Sequence, residues 1–405
     1  MTDEDTTPPM KIVSSHSFGQ NTTRNTATIV IGHNPKTKKY VTSVLHVTSG
    51  NWIDFTSDFD LYVDKKIETI QKDLFNFARS LEGRGIHVEQ YTQSEQDAHQ
   101  TSVAELRAKL FSLTESLLGE NGRELIDFIN THKIERLKAT ELEPLTDAPW
   151  NLLCFDQNKD EYLGDLVHVG LAQKPIRRKV PVDSFDEDRS PTIAFAEYNG
   201  LNSAQVSGRS FEQRSALEEA WLIEQHFGQH MINRLPNLPT KDNLTREEAA
   251  PLRSWLCTNA DLYHFNCHLT SHPEPSEYSY RVYFSQDAVV SHSNMTPETT
   301  LGLSAVFLNM CNSAISPGKN TVCLAGQFLI WGAGAVCGTT GPIADAFGRA
   351  FTEELYKALT NGPGELREAV MTARKNLRKR TGCPSSLLYI FAGWDDFQVF
   401  TKDAA

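Results

Sequence analysis

The chain has 405 residues, 40% of them apolar, an ordinary globular composition long enough for two domains. Its formal net charge of −12 argues against broad electrostatic binding to nucleic acid or anionic membrane, so neither is expected as a direct partner. No run approaches the about eighteen apolar residues of a membrane helix, and the acidic start MTDEDTTPPM has neither the basic nor the apolar part of a signal peptide, so a cytoplasmic setting is expected.

Residues 1–24 are polar, contain Pro8-Pro9 and show no periodicity, the pattern of a disordered tail. ATIVIGH (27–33) and KYVTSVLHV (39–47) flank a short polar turn and predict a hairpin. Helical spacing of Ile67, Ile70, Leu74, Phe77, Ala78 and Leu81 predicts a helix over 64–81. Val103, Leu106, Leu110, Leu113 and Leu117 mark a second, ended by Gly119, and a short third spans 123–130. Strands are expected at 133–139 and 166–172, with Pro149-Trp150 making a rigid turn and Trp150 a core anchor. The charged, proline-bearing stretch 177–191 reads as a linker.

Beyond it, strands and helices alternate. PTIAFAE (191–197) is a strand. A helix over 212–227 carries Leu217, Ala220, Trp221, Glu224 and Phe227. A strand running to Cys267, a hairpin strand at 281–284 and the strand SAVFLNM follow. LAGQFLIWGAGAVCGTT holds a helix and a strand. Helices over 344–359 and 365–380 precede a last strand at 387–393. Such alternation implies an α/β fold with a mostly parallel, doubly wound sheet, in which ligands bind beyond the carboxyl ends of the strands. Arg177-Arg178-Lys179 and the run Arg374 to Arg380 read as solvated surface.

Two apolar segments end in reactive side chains, LYHFNC before His268 and VFLNM before Cys311. Amide cleavage by cysteine needs a thiolate, a proton donor for the leaving amine and donors for the oxyanion. Imidazole assists the thiol and later protonates the amine. His268 and Cys311 fit those roles, with the backbone N–H groups of Cys311 and of Leu269, just after His268, as oxyanion donors. Cys267 is the rival nucleophile, but strand neighbours point to opposite faces, so it should face the packed side if His268 faces the cleft. His264, His272 and His292 are less well placed. HFNCH (264–268) lacks the glutamate of a zinc-protease HExxH and no CxxC pair occurs, so no metal site is expected. The seven scattered cysteines suit a reducing compartment. No G-x-S-x-G turn occurs, GAGAVCG (332–338) is not a dinucleotide fingerprint, and no cofactor is expected.

From about Ala104 onward the chain resembles the CHAT peptidases, relatives of caspases and separases. The marks come in order: APWNLL (148–153), TIAFAE, ALEEAWLIEQHFG, LYHFNCH, VFLNMC, FLIWGAGAVCGTT, FGRAFTEELYKAL (347–359) and AVMTARKNL (369–377). The resemblance implies a caspase-like three-layer sandwich over 190–405, preceded by a smaller α/β N-terminal region over 25–180. It implies cleavage of a protein substrate, with His268 as catalytic histidine and Cys311 as nucleophile. Leu269 stands where the family usually has glycine, Met310 where it has a small residue, and Gly341-Pro342 where a tryptophan-proline turn is common. The family also implies switching by an activating partner or ligand, often in bacterial defence or CRISPR-linked systems, with residues 1–140 for docking or sensing. A caspase-like module that has lost catalysis and only binds is the alternative. Related enzymes that cut after arginine or lysine use acidic pockets. Glu197, at the end of the first core strand, and Asp345, at a helix start, are the candidate substrate-binding carboxylates.

Overall fold

The computed structural model describes residues 25–34, 39–57, 63–84, 86–139, 149–171, 192–198, 211–228, 232–258, 260–271, 280–315, 322–394 and 397–399. The tail expected at 1–24, the linker at 177–191 and the cluster Arg177 to Lys179 lie outside them.

The expected hairpin is present as β1 (Thr26–Asn34) and β2 (Lys39–His46), extended by an unanticipated edge strand β3 (Trp52–Ser57). Then come α1 (Val63–Arg84), α2 (Gln93–Leu118), α3 (Glu124–His132), β4 (Arg136–Ala139), α4 (Leu163–Leu166) and β5 (His168–Leu171). The sheet runs β3-β2-β1-β4-β5, with β4 parallel to both neighbours. α2 starts in a capping box, Thr92 accepting from the Glu95 N–H while Glu95 accepts from the Thr92 N–H. Its stripe from Val103 to Leu117 is buried, together with Ile67, Ile70, Leu74, Ala78 and Leu81 of α1. Gly119 ends it at φ 71°, in the left-handed region that suits glycine.

The second half contains β6 (Ile193–Glu197), α5 (Phe211–Phe227), β7 (Ile232–Arg234), β8 (Lys241–Leu244), α6 (Ala250–Leu256) and β9 (Leu262–Asn266). It continues with β10 (His268–Ser271), β11 (Tyr280–Ser285), β12 (Ala288–Ser291), α7 (His292–Met295), β13 (Ala305–Leu308) and α8 (Leu324–Ile330). It closes with β14 (Ala335–Thr339), α9 (Asp345–Asn361), α10 (Leu366–Thr381) and β15 (Tyr389–Gly393). The main sheet has the order β15-β14-β13-β9-β6-β7 and is parallel except for β15. Its strands are buried on both faces, which is why they read as unbroken apolar runs. Ile193, Phe195, Leu262 and Phe307 face a core shared with α5, α9 and α10; Ala194, Tyr263, Phe265 and Leu308 face the core of α6 and α8. This is a three-layer sandwich, and the first core continues into the N-terminal half through Leu74, Leu110 and the anchor Trp150.

Some expectations change. The strand expected to run through Cys267 stops at Asn266, and His268 opens a strand of a separate small sheet, β10-β11-β12-β8. On α5, Trp221 is 52% exposed while Glu219, Ala220, Leu222, Ile223 and Phe227 are buried; the helix packs on α9. The basic run on α10 is not all solvated. Arg374 is fully buried and donates to the Tyr389 carbonyl, and Arg378 pairs with Asp160 (2.8 Å) and with Asp165.

Candidate active site

The site follows from strand register. β9 and β13 are adjacent and parallel, with His264 opposite Phe307 and Phe265 opposite Leu308. His268 and Cys311 each lie three residues beyond that last pair, at the same level outside the carboxyl edge. Both line one cleft, together with Tyr198, Asn309, Ile343 and Asp345.

Asn312, at φ 57°, turns the chain sharply after Cys311; asparagine tolerates this left-handed conformation better than most residues. The turn is braced from β14. Thr339 donates through Oγ1 to the Met310 carbonyl (2.6 Å) and through N–H to Ser313 Oγ (2.9 Å).

The Cys311 sulfur is held by one residue across the cleft. The Ile343 N–H donates to Sγ (3.3 Å), and the thiol faces the Ile343 carbonyl (3.5 Å). Burial pushes the thiol's pKa up; the Ile343 N–H opposes this and the Asp345 carboxylate adds to it. Burial and the carboxylate together disfavour the thiolate. The His268 ring meets Tyr198 edge-on at 4.4 Å between centroids.

Of the other expected residues, Cys267 also borders the cleft. The Cys267 thiol is buried, faces the Ala196 carbonyl (3.7 Å), and has its pKa pushed well up by burial. His264 and His292 are engaged by Tyr356 and by the Tyr280 N–H, respectively, and His272 lies outside the described residues. Leu269 lies in β10 opposite Val282 and is not among the cleft-lining residues. Asp345 lines the cleft, whereas Glu197 is not among the lining residues and is paired with Arg234 at 3.1 Å. Sequence reasoning missed Ile343, whose role belongs to its backbone, and Asn309, whose polarity inside an apolar strand was the available signal. It also missed the support from the N-terminal half. Gln71 of α1 donates to the Thr340 carbonyl (3.0 Å), and Glu82 of α1 accepts from the Ala346 N–H (3.1 Å), bracketing the wall that carries Ile343 and Asp345.

A family model described as the CHAT domain matches residues 96–394. No curated protein sequence matches. Among solved structures, the Saccharomyces cerevisiae separase–securin complex is similar, with a TM-score of 0.50 and 12% identity over 91% of this chain and 30% of that one. The Arg-specific cysteine proteinase gingipain R is similar at a TM-score of 0.45 and 11% identity, over 70% of this chain and 69% of that one. The complex of Porphyromonas gingivalis RgpB pro- and mature domains is similar at a TM-score of 0.44 and 12% identity, over 70% and 71%. The separase likeness shows the fold, which is caspase-like. No helix among the described residues is long and apolar enough to cross a membrane.

Proposed function

The chain belongs to the CHAT family, and from that membership we propose that it is a cysteine endopeptidase with Cys311 as nucleophile and His268 as acid–base partner. The observation that carries the reading is the register of β9 and β13, which brings both side chains into one cleft. In the proposed cycle His268 takes the thiol proton and the sulfur attacks the peptide carbonyl carbon. The oxyanion is met by the backbone N–H of Cys311; the second expected donor, Leu269, would have to turn toward the cleft that it does not line at rest. His268 then gives its proton to the departing amine, and water hydrolyses the thioester.

The proposal includes regulation. In the resting arrangement Ile343 engages the sulfur, and burial keeps it protonated. Productive attack requires the wall at 340–346 to move, and α1 grips that wall at both ends. A protein partner or ligand acting through the N-terminal half would release it; the family resemblance suggests a defence or CRISPR-linked setting. The purified chain should then alkylate slowly at Cys311 near neutral pH. The rate should climb as pH rises beyond the ordinary thiol range, because the thiolate fraction grows with pH about this raised pKa. Rapid modification at neutral pH, read by mass spectrometry, contradicts a resting thiol.

For specificity, Asp345 is the carboxylate placed to meet a cationic side chain before the cut bond. Mapping new N-termini in cells expressing the chain should show cuts after arginine or lysine that vanish with His268→Ala. Asp345→Asn should lower kcat/KM for those sites by about 10- to 100-fold, the ~1.5–3 kcal/mol of a charge-assisted hydrogen bond. Cleavage after apolar residues, unchanged in Asp345→Asn, removes the acidic pocket and leaves the dyad standing. New N-termini that appear with the parent and persist unchanged in His268→Ala remove the dyad.

A further inference from the structure

Beneath the cleft, polar side chains meet inside the otherwise apolar layer between sheet and helices. Tyr356 of α9 hydrogen-bonds Nδ1 of His264 on β9 at 2.6 Å. The other ring nitrogen lies 3.0 Å from Oε2 of Glu219 on α5, a close polar contact rather than a well-aligned hydrogen bond. The second carboxylate oxygen, Oε1, accepts from Nδ2 of Asn309 at 2.7 Å. Asn309 Nδ2 also reaches Thr352 Oγ1 at 3.3 Å, and its Oδ1 accepts from the Tyr389 hydroxyl at 2.6 Å. Glu219, His264, Tyr356 and Tyr389 are all at most 1% exposed.

Such a cluster is a poor stability device, since apolar replacements of equal volume are often neutral or better. What it adds is direction, because each hydrogen bond fixes an angle as well as a distance. Glu219 is the joint of the network. One oxygen serves β9, which leads four residues later to His268; the other serves Asn309, two residues before Cys311. The rest of the network holds the amide of Asn309 in one orientation. Tyr389, whose ring stacks on Phe351, holds its oxygen, and Gly348 lets α9 approach, since a Cβ there would lie 3.0 Å from Asn309 Oδ1. With Tyr356 donating to Nδ1, the His264 ring proton sits on Nε2, facing the carboxylate.

We propose that Glu219 is a positioning residue whose carboxylate, bridging His264 and Asn309, sets Cys311 against His268. This rests on the dyad reading, and the test separates the two. Cys311 of the full chain is alkylated with iodoacetamide across a pH range of about 7 to 11, wide enough to bracket a raised thiol midpoint, and followed by mass spectrometry, with folding checked by circular dichroism. His268→Ala should move the midpoint upward, because the imidazole no longer assists ionisation. Glu219→Leu should move it the same way and at least about half as far, whereas Glu219→Gln should stay near the parent profile. Glutamine keeps both contacts once the His264 ring proton shifts to Nδ1. A purely structural role would lower the melting temperature and leave the midpoint of the folded protein alone.

If Glu219→Leu does not fold, Tyr389→Phe decides, since it keeps the ring and deletes only the bond to Asn309. A fall of about twofold or more in rate at neutral pH supports the proposal. If His268→Ala moves the profile and the Glu219 or Tyr389 variant does not, the positioning role is overturned and the dyad survives. If His268→Ala leaves the profile unchanged, the dyad fails and the positioning role with it.

Discussion

The Cys311→Ala variant is expected to lose proteolysis by at least about 10⁴-fold while keeping its fold. The chemical loss is large because Cys311 is the proposed seat of the acyl intermediate. Cys267, the neighbouring thiol, is directed at Ala196 and shielded in the second core. The structural loss is small because the sulfur's hydrogen-bond contacts are with the Ile343 backbone, and the turn is braced independently by Thr339 and Ser313. The check is to compare cleavage of a mapped substrate by the parent, Cys311→Ala and Cys267→Ala under activating conditions. Retained cutting by Cys311→Ala together with loss in Cys267→Ala would reverse the assignment of the nucleophile. Loss in both, with both folded, would point to a site needing the pair.

Arg378→Ala should lower stability by about 3 kcal/mol, the low end of the range for breaking a buried ion pair from one side, because the side chains of Asp165 and Asp160 keep 25% and 43% exposure. Arg378, 6% exposed, bonds Asp160 through Nε at 2.8 Å and Asp165 through Nη2, and stacks over the Tyr162 ring. It ties α10 to the 160–165 segment of the N-terminal half. Burial raises the Asp165 pKa, and the guanidinium of Arg378 is the main counterweight. Without it the folded-state pKa climbs further above the unfolded value. A carboxyl whose folded pKa is raised contributes stability below its unfolded pKa and loses it as pH rises through the folded one. The deficit of Arg378→Ala should therefore be smallest in acid and widen as pH rises through the carboxylate range. Urea denaturation of parent and variant at several pH values measures this, and a deficit independent of pH would mean that lost packing alone is responsible.

Much of the architecture could be read locally. α2, α9 and α10 carry long apolar stripes, and the central strands β6, β9, β13 and β14 are largely apolar, His264 on β9 being a buried exception, as strands buried on both faces tend to be. The misses share a cause. β8 reads KDNL and is mostly exposed, and β3 is an edge strand with Trp52 at 68% exposure, so neither needs an apolar pattern. Trp221 is the converse case, a large apolar side chain on a helix whose buried face is set by α9 rather than by the stripe's most conspicuous member. On α10, the chemistry of Arg374 and Arg378 suggested solvent, and only distant partners, the Tyr389 carbonyl and Asp160 with Asp165, make their burial tenable.

The same division runs through the site. A cysteine and a histidine just past two apolar strands, with the family marks in order, were legible from the chain alone, because periodicity and strand ends are local properties. That the two strands are neighbours in matching register was decided by the tertiary structure. So were the surroundings of the two carboxylates, since Glu197 meets Arg234 and Asp345 meets the cleft only when remote segments pack. The hold of Ile343 on the sulfur and the bridge of Glu219 between His264 and Asn309 join residues 32 and 90 positions apart to their partners. Such contacts leave no local periodicity, because a hydrogen bond depends on where two atoms meet in space and a sequence pattern records only what each segment buries.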